Sequence, residues 1–548
     1  MVKDAGNTLK SARRISILDT ARSTKEQIGA GDPRDFFRVK LGQRSSLTLS
    51  LTELNANANL TLLSKTGKVL AQSRRSGKQS ESIATPLDAG VYYIQVSPGS
   101  RRDSTRYKLT YSASNTAPSL LNTGLAVRPG TTATISSSVL KATDAEQQTG
   151  ELFYTLTSLP QGGTLQLNGV TLGVGSQFTQ IDVDSGRLSY TSLGRIDQLT
   201  RNATVDASPK VDGFNVVWSG NDDTDSEVFF YNGTTRAIPV QLTNNSIDDL
   251  ANEISGTNVT WTTIDTTNIS LQAFLYNTTT QASTRITAGL VVSGLPGLNL
   301  TVDVASGVSG SNVALNVFDS INLQVAQDYV AGRITIDEFI ARGFETEVFL
   351  YNGSTGTSTR LTNNATNDTA VGISGSNIVW TGFDGNDNEV FFYSGTTGTT
   401  TQLTNNTTND TAVGISGSNI VWTGFDGNDN EVFFYSGTTG TIAQLTNNAT
   451  NDTAAGVSGL NVIWTGFDDS DDEVFFYDGT LRSTSQLTNN TTSDLASGIS
   501  GFNVAWAGLD GSDGDIFFRN FSSSDSFSFM VTDNVGGITS GTFNLTIA

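Results

Sequence analysis

The sequence predicts an all-β protein: a closed ring of repeated four-stranded sheets flanked by β-sandwich modules, and three observations carry that expectation. Six tryptophans fall at 218, 261, 380, 422, 464 and 506, the last four spaced by 42 residues each, and a fixed period of this size marks a repeat array. Each unit repeats the same phrases: Asn419-Ile420-Val421-Trp422, then Glu431-Val432-Phe433-Phe434-Tyr435, then Gln444-Leu445-Thr446-Asn447-Asn448. The composition is rich in Gly, Thr, Asn and Ser and poor in charge, with two Met and nine Pro in 548 residues. That composition suits short strands and tight turns better than helices.

Residues 1–113 alternate apolar and polar positions along Phe36-Phe37-Arg38-Val39-Lys40-Leu41 and Val91-Tyr92-Tyr93-Ile94-Gln95-Val96, the pattern of an independent β-sandwich. Asp32-Pro33-Arg34-Asp35-Phe36-Phe37-Arg38-Val39, Asn55-Ala56-Asn57-Ala58-Asn59-Leu60, Gly67-Lys68-Val69-Leu70-Ala71 and Ala89-Gly90-Val91-Tyr92-Tyr93 resemble the bacterial pre-peptidase C-terminal domain. The resemblance implies a jelly-roll accessory domain of secreted proteins, often enzymes, with relatives that bind insoluble matrix. Asp32 and Asp35 are expected to cap a turn rather than hold a metal.

Residues 115–196 carry Asn115-Thr116-Ala117-Pro118, Thr143-Asp144-Ala145-Glu146, Gly163-Thr164-Leu165-Gln166-Leu167-Asn168-Gly169 and Gly186-Arg187-Leu188-Ser189-Tyr190. These phrases resemble the first part of a cadherin-like repeat of the chondroitin-sulfate-proteoglycan type. Its closing strands stand at the far end of the chain, in Asp525–Gly537 and Thr542–Ile547, so a discontinuous sandwich of 115–196 and 523–548 is expected, interrupted by the ring. A closed ring brings its own ends together, which permits such an insertion at an exposed turn.

The Leu-Thr phrase recurs seven times, at Gln198, Gln241, Arg285, Arg360, Gln402, Gln444 and Gln486 with the residues that follow each. The tryptophan phrase also recurs seven times if Leu315 stands in the place of Trp380. Candidate strands in one unit are Ala412–Ser416, Asn419–Thr423, Glu431–Tyr435 and Thr441–Thr446, four in about 42 residues, the size of a propeller blade. The array opens on a Leu-Thr strand at 198–200 and ends on Asp515-Ile516-Phe517-Phe518 without one, so the first strand is expected to complete a seventh blade. The unit from Val413-Gly414-Ile415-Ser416-Gly417 to Leu445-Thr446 resembles the TolB-like β-propellers, and the resemblance spans 198–520. It departs where that family commonly has Ser-Pro-Asp-Gly. A helical insert is expected over 321–346, from the spacing of Val325, Tyr329 and Val330 and a capping box at Thr335-Ile336-Asp337-Glu338.

There is no Cys and no His, which excludes Ser-His-Asp and Cys-His catalysis, thiolate sites and the usual zinc sites. Net charge is −21, but residues 1–113 carry +10 and the remainder −31. The acidic bulk disfavours nucleic acid, while the basic module offers either a contact for acidic polymers or a solvated face. No apolar run reaches the ~20 residues of a membrane span. Residues 1–25 lack the apolar core of a signal peptide. The expected location is extracellular or at the cell surface by a route without an N-terminal signal peptide, with the periplasm as alternative. Oligomeric state is not specified.

Each unit places an aspartate four residues after its tryptophan position: Asp222, Asp265, Asp319, Asp384, Asp426, Asp468 and Asp510. Three further on stand Asp225, Asn268, Asn322, Asp387, Asp429, Asp471 and Asp513, with Glu227, Glu389, Glu431, Glu473 or Asp515 two beyond in most units. Clustered oxygen ligands suit calcium, and Asp384, Asp387, Asp426, Asp429, Asp468 and Asp471 are the candidates. The spacing matches no established calcium loop, and Asp-Gly and Asn-Asp pairs are the usual residues of tight hairpins, so turns are the favoured reading. Paired carboxylates also support glycoside cleavage in principle, but residues 367–399 and 409–441 are identical, so nothing singles out one acid and one base. The expected function is a non-enzymatic exported surface protein binding protein or polysaccharide. A carboxylate-dependent polysaccharide hydrolase or lyase and a TolB-like periplasmic scaffold are the alternatives.

Overall fold

A computed structural model describes residues 5–265, 270–287, 302–321, 323–334, 344–509 and 513–548. The chain forms two compact units, one made of residues up to Gly194 together with Ser522–Ala548, the other of Arg195–Phe521.

In the first unit, strict alternation along Ser45–Thr52 turns Leu47, Leu49 and Leu51 inward and the intervening Ser and Thr outward. That strand lies in a four-stranded sheet with Arg22–Ile28, Thr105–Ser114 and Glu81–Leu87, facing a five-stranded sheet that includes Asp35–Leu41, Gly90–Pro98 and Ala58–Leu63. Their inner faces share one core of Phe37, Val39, Leu49, Leu60, Ile94 and Tyr107. Asp35 does not cap a turn: it begins a strand, is fully buried, and accepts a hydrogen bond from the Tyr107 hydroxyl. Burial and the Asp35 charge push the Tyr107 hydroxyl well above the usual phenol range.

A second sandwich in this unit is assembled from both ends of the chain. Ser524–Thr532 pairs with Phe153–Leu156 and with Ile538–Ile547, and the latter runs parallel to Leu125–Val127. Tyr190 and the amides of Gln161 and Gly162 all donate to Asp525, tying the distant strand to the local ones. Gln180–Asp184 is a short helix whose Thr179 and Asp182 cap one another, Asp182 accepting from the Thr179 amide at 2.9 Å.

The second unit contains, among the described residues, seven four-stranded antiparallel sheets. One is Asp410–Ser416, Asn419–Phe425, Asn430–Ser436 and Thr441–Gln444, the four expected strands with ends shifted by one or two residues. Consecutive apolar residues on the third strand serve two neighbours. Phe433 and Tyr435 pack with Trp422, while Val432 and Phe434 pack with Trp464 of the following sheet. Trp422 stacks on Phe433 with ring centroids 5.7 Å apart, a pairing repeated at Trp380–Phe391, Trp464–Phe475 and Trp506–Phe517. The tryptophans are buried packing residues and not a ligand stack. Leu315 holds the tryptophan place in the third sheet, opposite Phe349 as Trp380 is opposite Phe391.

The last sheet, Asp494–Ser500, Asn503–Leu509 and Gly514–Asn520, takes its fourth strand from Arg195–Gln198. Closure therefore begins three residues before the expected 198–200, because Arg195 already pairs with Asn520. Leu199 continues it by donating to the Ile516 carbonyl. Trp218 of the first sheet packs on Ala505, Ile516 and Phe518 of the last, which joins the ring. The expected insert is shorter than 321–346, since Asn312–Ile321 and Phe344–Asn352 extend the third sheet's hairpin. Between them Leu323–Val330 is helical, and the capping box at 335–338 lies outside the described residues, as do Asn268, Asn322 and Asp510.

Candidate functional site

In four sheets the loop between the second and third strands is shaped by its first aspartate: Asp222, Asp384, Asp426 or Asp468. Asp384 Oδ1 accepts from the amides of Asn386 (2.9 Å) and Asp387 (3.4 Å), while the Asp384 amide donates to the Asp387 carbonyl. Asp426 does the same toward Asn428 and Asp429, and Asp222 and Asp468 accept from the amide and hydroxyl of Thr224 and Ser470. These are side-chain-closed hairpin turns, and the hydrogen bonds hold the Asp222, Asp384, Asp426 and Asp468 carboxyls below the usual range. The second oxygen of each accepts from a glutamine of the fourth strand, as Gln402 Nε2 to Asp384 Oδ2 at 3.2 Å.

The turn occupies the first aspartate and only Oδ1 of the second, which in Asp387 accepts from Asn386 Nδ2 at 3.1 Å. The second, Asp387, and the glutamate Glu389 at the start of the third strand converge on the first. In each of the triads Asp222–Asp225–Glu227, Asp384–Asp387–Glu389, Asp426–Asp429–Glu431 and Asp468–Asp471–Glu473, one carboxylate oxygen per residue lies within 4.8 Å of the others. The four glutamates are fully buried. One oxygen of each accepts the amide of an asparagine in the following connection, as Asn406 to Glu389 at 2.7 Å. The other, Oε2, has no hydrogen-bond partner, and neither has Oδ2 of Asp225, Asp387, Asp429 or Asp471.

Behind each glutamate stands an aspartate absent from the sequence-based expectation. In all seven sheets the channel-side strand carries a buried one at its first or second residue: Asp206, Asp249, Asp303, Asp368, Asp410, Asp452 and Asp494. Asp206 accepts from Trp218 Nε1 at 2.9 Å, and Asp410 from Asn406 Nδ2 at 2.6 Å. Burial, with Glu389, Glu431 and Glu473 nearby, pushes Asp410, Asp452 and Asp494 up to about 6. Their recurrence in the Asn-Asp-Thr-Ala phrase and its variants was the signal that marked them.

The third sheet differs. Its glutamate, Glu347, accepts from the Thr362 hydroxyl and forms a 3.0 Å ion pair with Arg360, which occupies the place of Gln402.

The first strands of all seven sheets enclose a channel of about 240 Å³ lined by serine, glycine and aliphatic residues. Lys210, Asp212 and Glu253 are its charged residues. Burial in the channel wall raises the Glu253 carboxyl above the usual range, opposed by Lys210. On the loop side, Phe383, Phe425, Phe467 and Leu509 end the second strands at 41, 41, 43 and 43% exposure.

Comparison with known proteins adds two family matches. Residues 33–98 match the bacterial pre-peptidase C-terminal domain family and residues 118–208 the cadherin-like family. FRAS1-related extracellular matrix protein 2 of Homo sapiens is 25% identical over 132 residues, 24% of this chain and 4% of that protein. Chondroitin sulfate proteoglycan 4 of Homo sapiens is 42% identical over 65 residues, covering 12% and 3% of the two chains. The chain thus spans only a few per cent of these relatives' length. Among solved structures, the β-propeller domain of the Trilobed protease from Pyrococcus furiosus is 10% identical, covering 59% of this chain and 95% of that one at a TM-score of 0.41. No helix among the described residues is long and apolar enough to cross a membrane.

Proposed function

We propose that this chain is a non-enzymatic, exported modular protein whose ring binds protein or polysaccharide partners at a cell surface or in an extracellular matrix. The row Phe383, Phe425, Phe467 and Leu509 carries this reading. The four occupy one register position in successive sheets, each pairing with the first residue of the third strand, and each directly precedes an acidic loop. Apolar residues held out of the core at a regular interval and bordered by carboxylates form the apolar-centre, polar-rim pattern of a binding face. The cadherin-like segment, similar to parts of extracellular matrix proteins, supports an extracellular setting, as does the pre-peptidase-type module. The identical copies of the acidic loop argue against one asymmetric acid–base pair.

Matrix-protein and glycan arrays test the proposal. Parent protein is expected to retain at least one ligand class, and Phe383→Ala/Phe425→Ala/Phe467→Ala to lose at least about tenfold in affinity. Undiminished binding by the triple variant sinks the assigned face, and native protein found solely in the cytosol after controlled fractionation sinks the location. A second reading, a carboxylate-dependent polysaccharide hydrolase or lyase, is favoured by the symmetry-breaking Glu253 and Lys210 in the channel. Turnover of any glycan that is abolished by Glu253→Gln would replace the first reading.

A further inference from the structure

We propose that four loops of the ring each bind one divalent cation of calcium type through Asp222–Asp225–Glu227, Asp384–Asp387–Glu389, Asp426–Asp429–Glu431 and Asp468–Asp471–Glu473. Three independent observations converge on it. The first is distance. Calcium holds oxygen ligands at about 2.3–2.6 Å, so two ligands of one ion lie at most ~5 Å apart, and the triad oxygens lie within 4.8 Å of one another. All donors are carboxylate oxygens, which select hard cations over zinc or copper.

The second observation is unmet bonding capacity. Glu389 is 0% and Asp387 8% exposed, yet Glu389 Oε2 and Asp387 Oδ2 accept no hydrogen bond, and the same two oxygens are without partners in the other three loops. A buried carboxylate oxygen facing two more carboxylates is strongly unfavourable without a positive charge. No lysine or arginine forms an ion pair with these triads among the described residues. The turn accounts for the first aspartate of each loop and for Oδ1 of the second, and leaves Oδ2 of the second aspartate and Oε2 of the glutamate without a partner.

The third observation comes from the sheets that differ. Where the acidic triad is incomplete, the fourth strand carries arginine: Arg285 follows Ser270 in the glutamate place, and Arg360 pairs with Glu347 at 3.0 Å. Where the triad is complete, the same position is a glutamine: Gln241, Gln402, Gln444 and Gln486. The third sheet thus supplies its own cation, and the four triads are complete where that guanidinium is missing.

The test uses the full chain stripped with a chelator and titrated with CaCl₂, followed by calorimetric stoichiometry and thermal unfolding. At least four ions per chain are expected, with the melting temperature rising by on the order of 5 °C or more. Gln402→Arg, which recreates the Arg360 arrangement, is expected to bind one ion fewer and to melt above the parent in chelator. Asp387→Asn should also lose one ion. Gln444→Arg repeats the experiment in the neighbouring sheet should either variant misfold, as read by tryptophan fluorescence. Ions bound elsewhere in the chain leave these differences untouched. The proposal falls if calcium at about 10 mM, beyond the weak end of extracellular sites, gives neither heat nor a melting shift. It also falls if stoichiometry is unchanged in the folded variants.

Discussion

Gly424 illustrates how much of each repeat is dictated by single atoms. A Cβ there would sit 2.2 Å from Asp410 Oδ1 and 3.2 Å from the Phe433 ring, and Gly220, Gly382, Gly466 and Gly508 meet the same two neighbours in their own sheets. The glycine leaves room for the buried aspartate beside the tryptophan–phenylalanine stack. Gly424→Ala is expected to cost about 1–3 kcal/mol, the range for overpacking a filled interior, with the urea midpoint of the ring as readout; an unchanged midpoint would show that the sheet yields freely. Trp422→Ala should cost more, about 3–5 kcal/mol. Trp422→Leu should cost less than the alanine change, since Leu315 already fills that place in one sheet. The phrase Asn419-Ile420-Val421-Trp422, which ends two residues before this glycine, was legible in the sequence as a repeat marker. The reason for the glycine was not, because the aspartate it accommodates lies 14 residues away on another strand.

At the scale of one sheet, the connection to the next is a polar latch. The Thr404 hydroxyl accepts the Val390 amide, the Asn406 amide donates to Glu389, and Asn406 Nδ2 donates to Asp410. In this latch the carboxyls of Asp410, Asp452 and Asp494 are held up at about 6 against an ordinary 3.8. A raised carboxyl favours folding while it stays protonated. Its contribution is fully present below the ordinary value and is lost as pH rises through about 6. Asp410→Asn removes the charge beside Glu389, so in chelator the variant should gain stability relative to parent at about pH 8 and lose that advantage at about pH 4. Chemical denaturation at both pH values checks this; a pH-independent difference would mean that Asp410 is ionised throughout.

At the scale of the molecule, both units depend on residues far apart in the chain. The sandwich strand Phe153–Leu156 gains its partner from Ser524–Thr532, and Phe527, Phe529, Val531, Phe543 and Leu545 are buried there. A chain ending at Phe521 is expected to expose 115–194 to limited proteolysis while 195–521 stays protected, because the ring takes its closing strand from Arg195–Gln198 within its own unit. Equal protection of both regions would refute the dependence. Such long-range pairing also predicts slow folding relative to helical proteins of this size.

Sequence alone determined the all-β class, the period, the four strands of a unit and the exclusion of histidine and cysteine chemistry. These follow from composition and from apolar patterns repeated along the chain, which are local properties. Tertiary structure decided which oxygens of Asp387 and Glu389 remain without partners, that Arg360 neutralises Glu347, that the channel-side strand of each sheet carries a buried aspartate at its first or second residue, and that Phe383, Phe425 and Phe467 stay exposed. The physical reason is that hydrogen-bond satisfaction, burial and charge balance depend on atoms meeting from different strands and neighbouring sheets. Identical phrases in the sequence cannot distinguish an acidic turn that closes only on itself from one whose buried carboxylates still require a counter-charge.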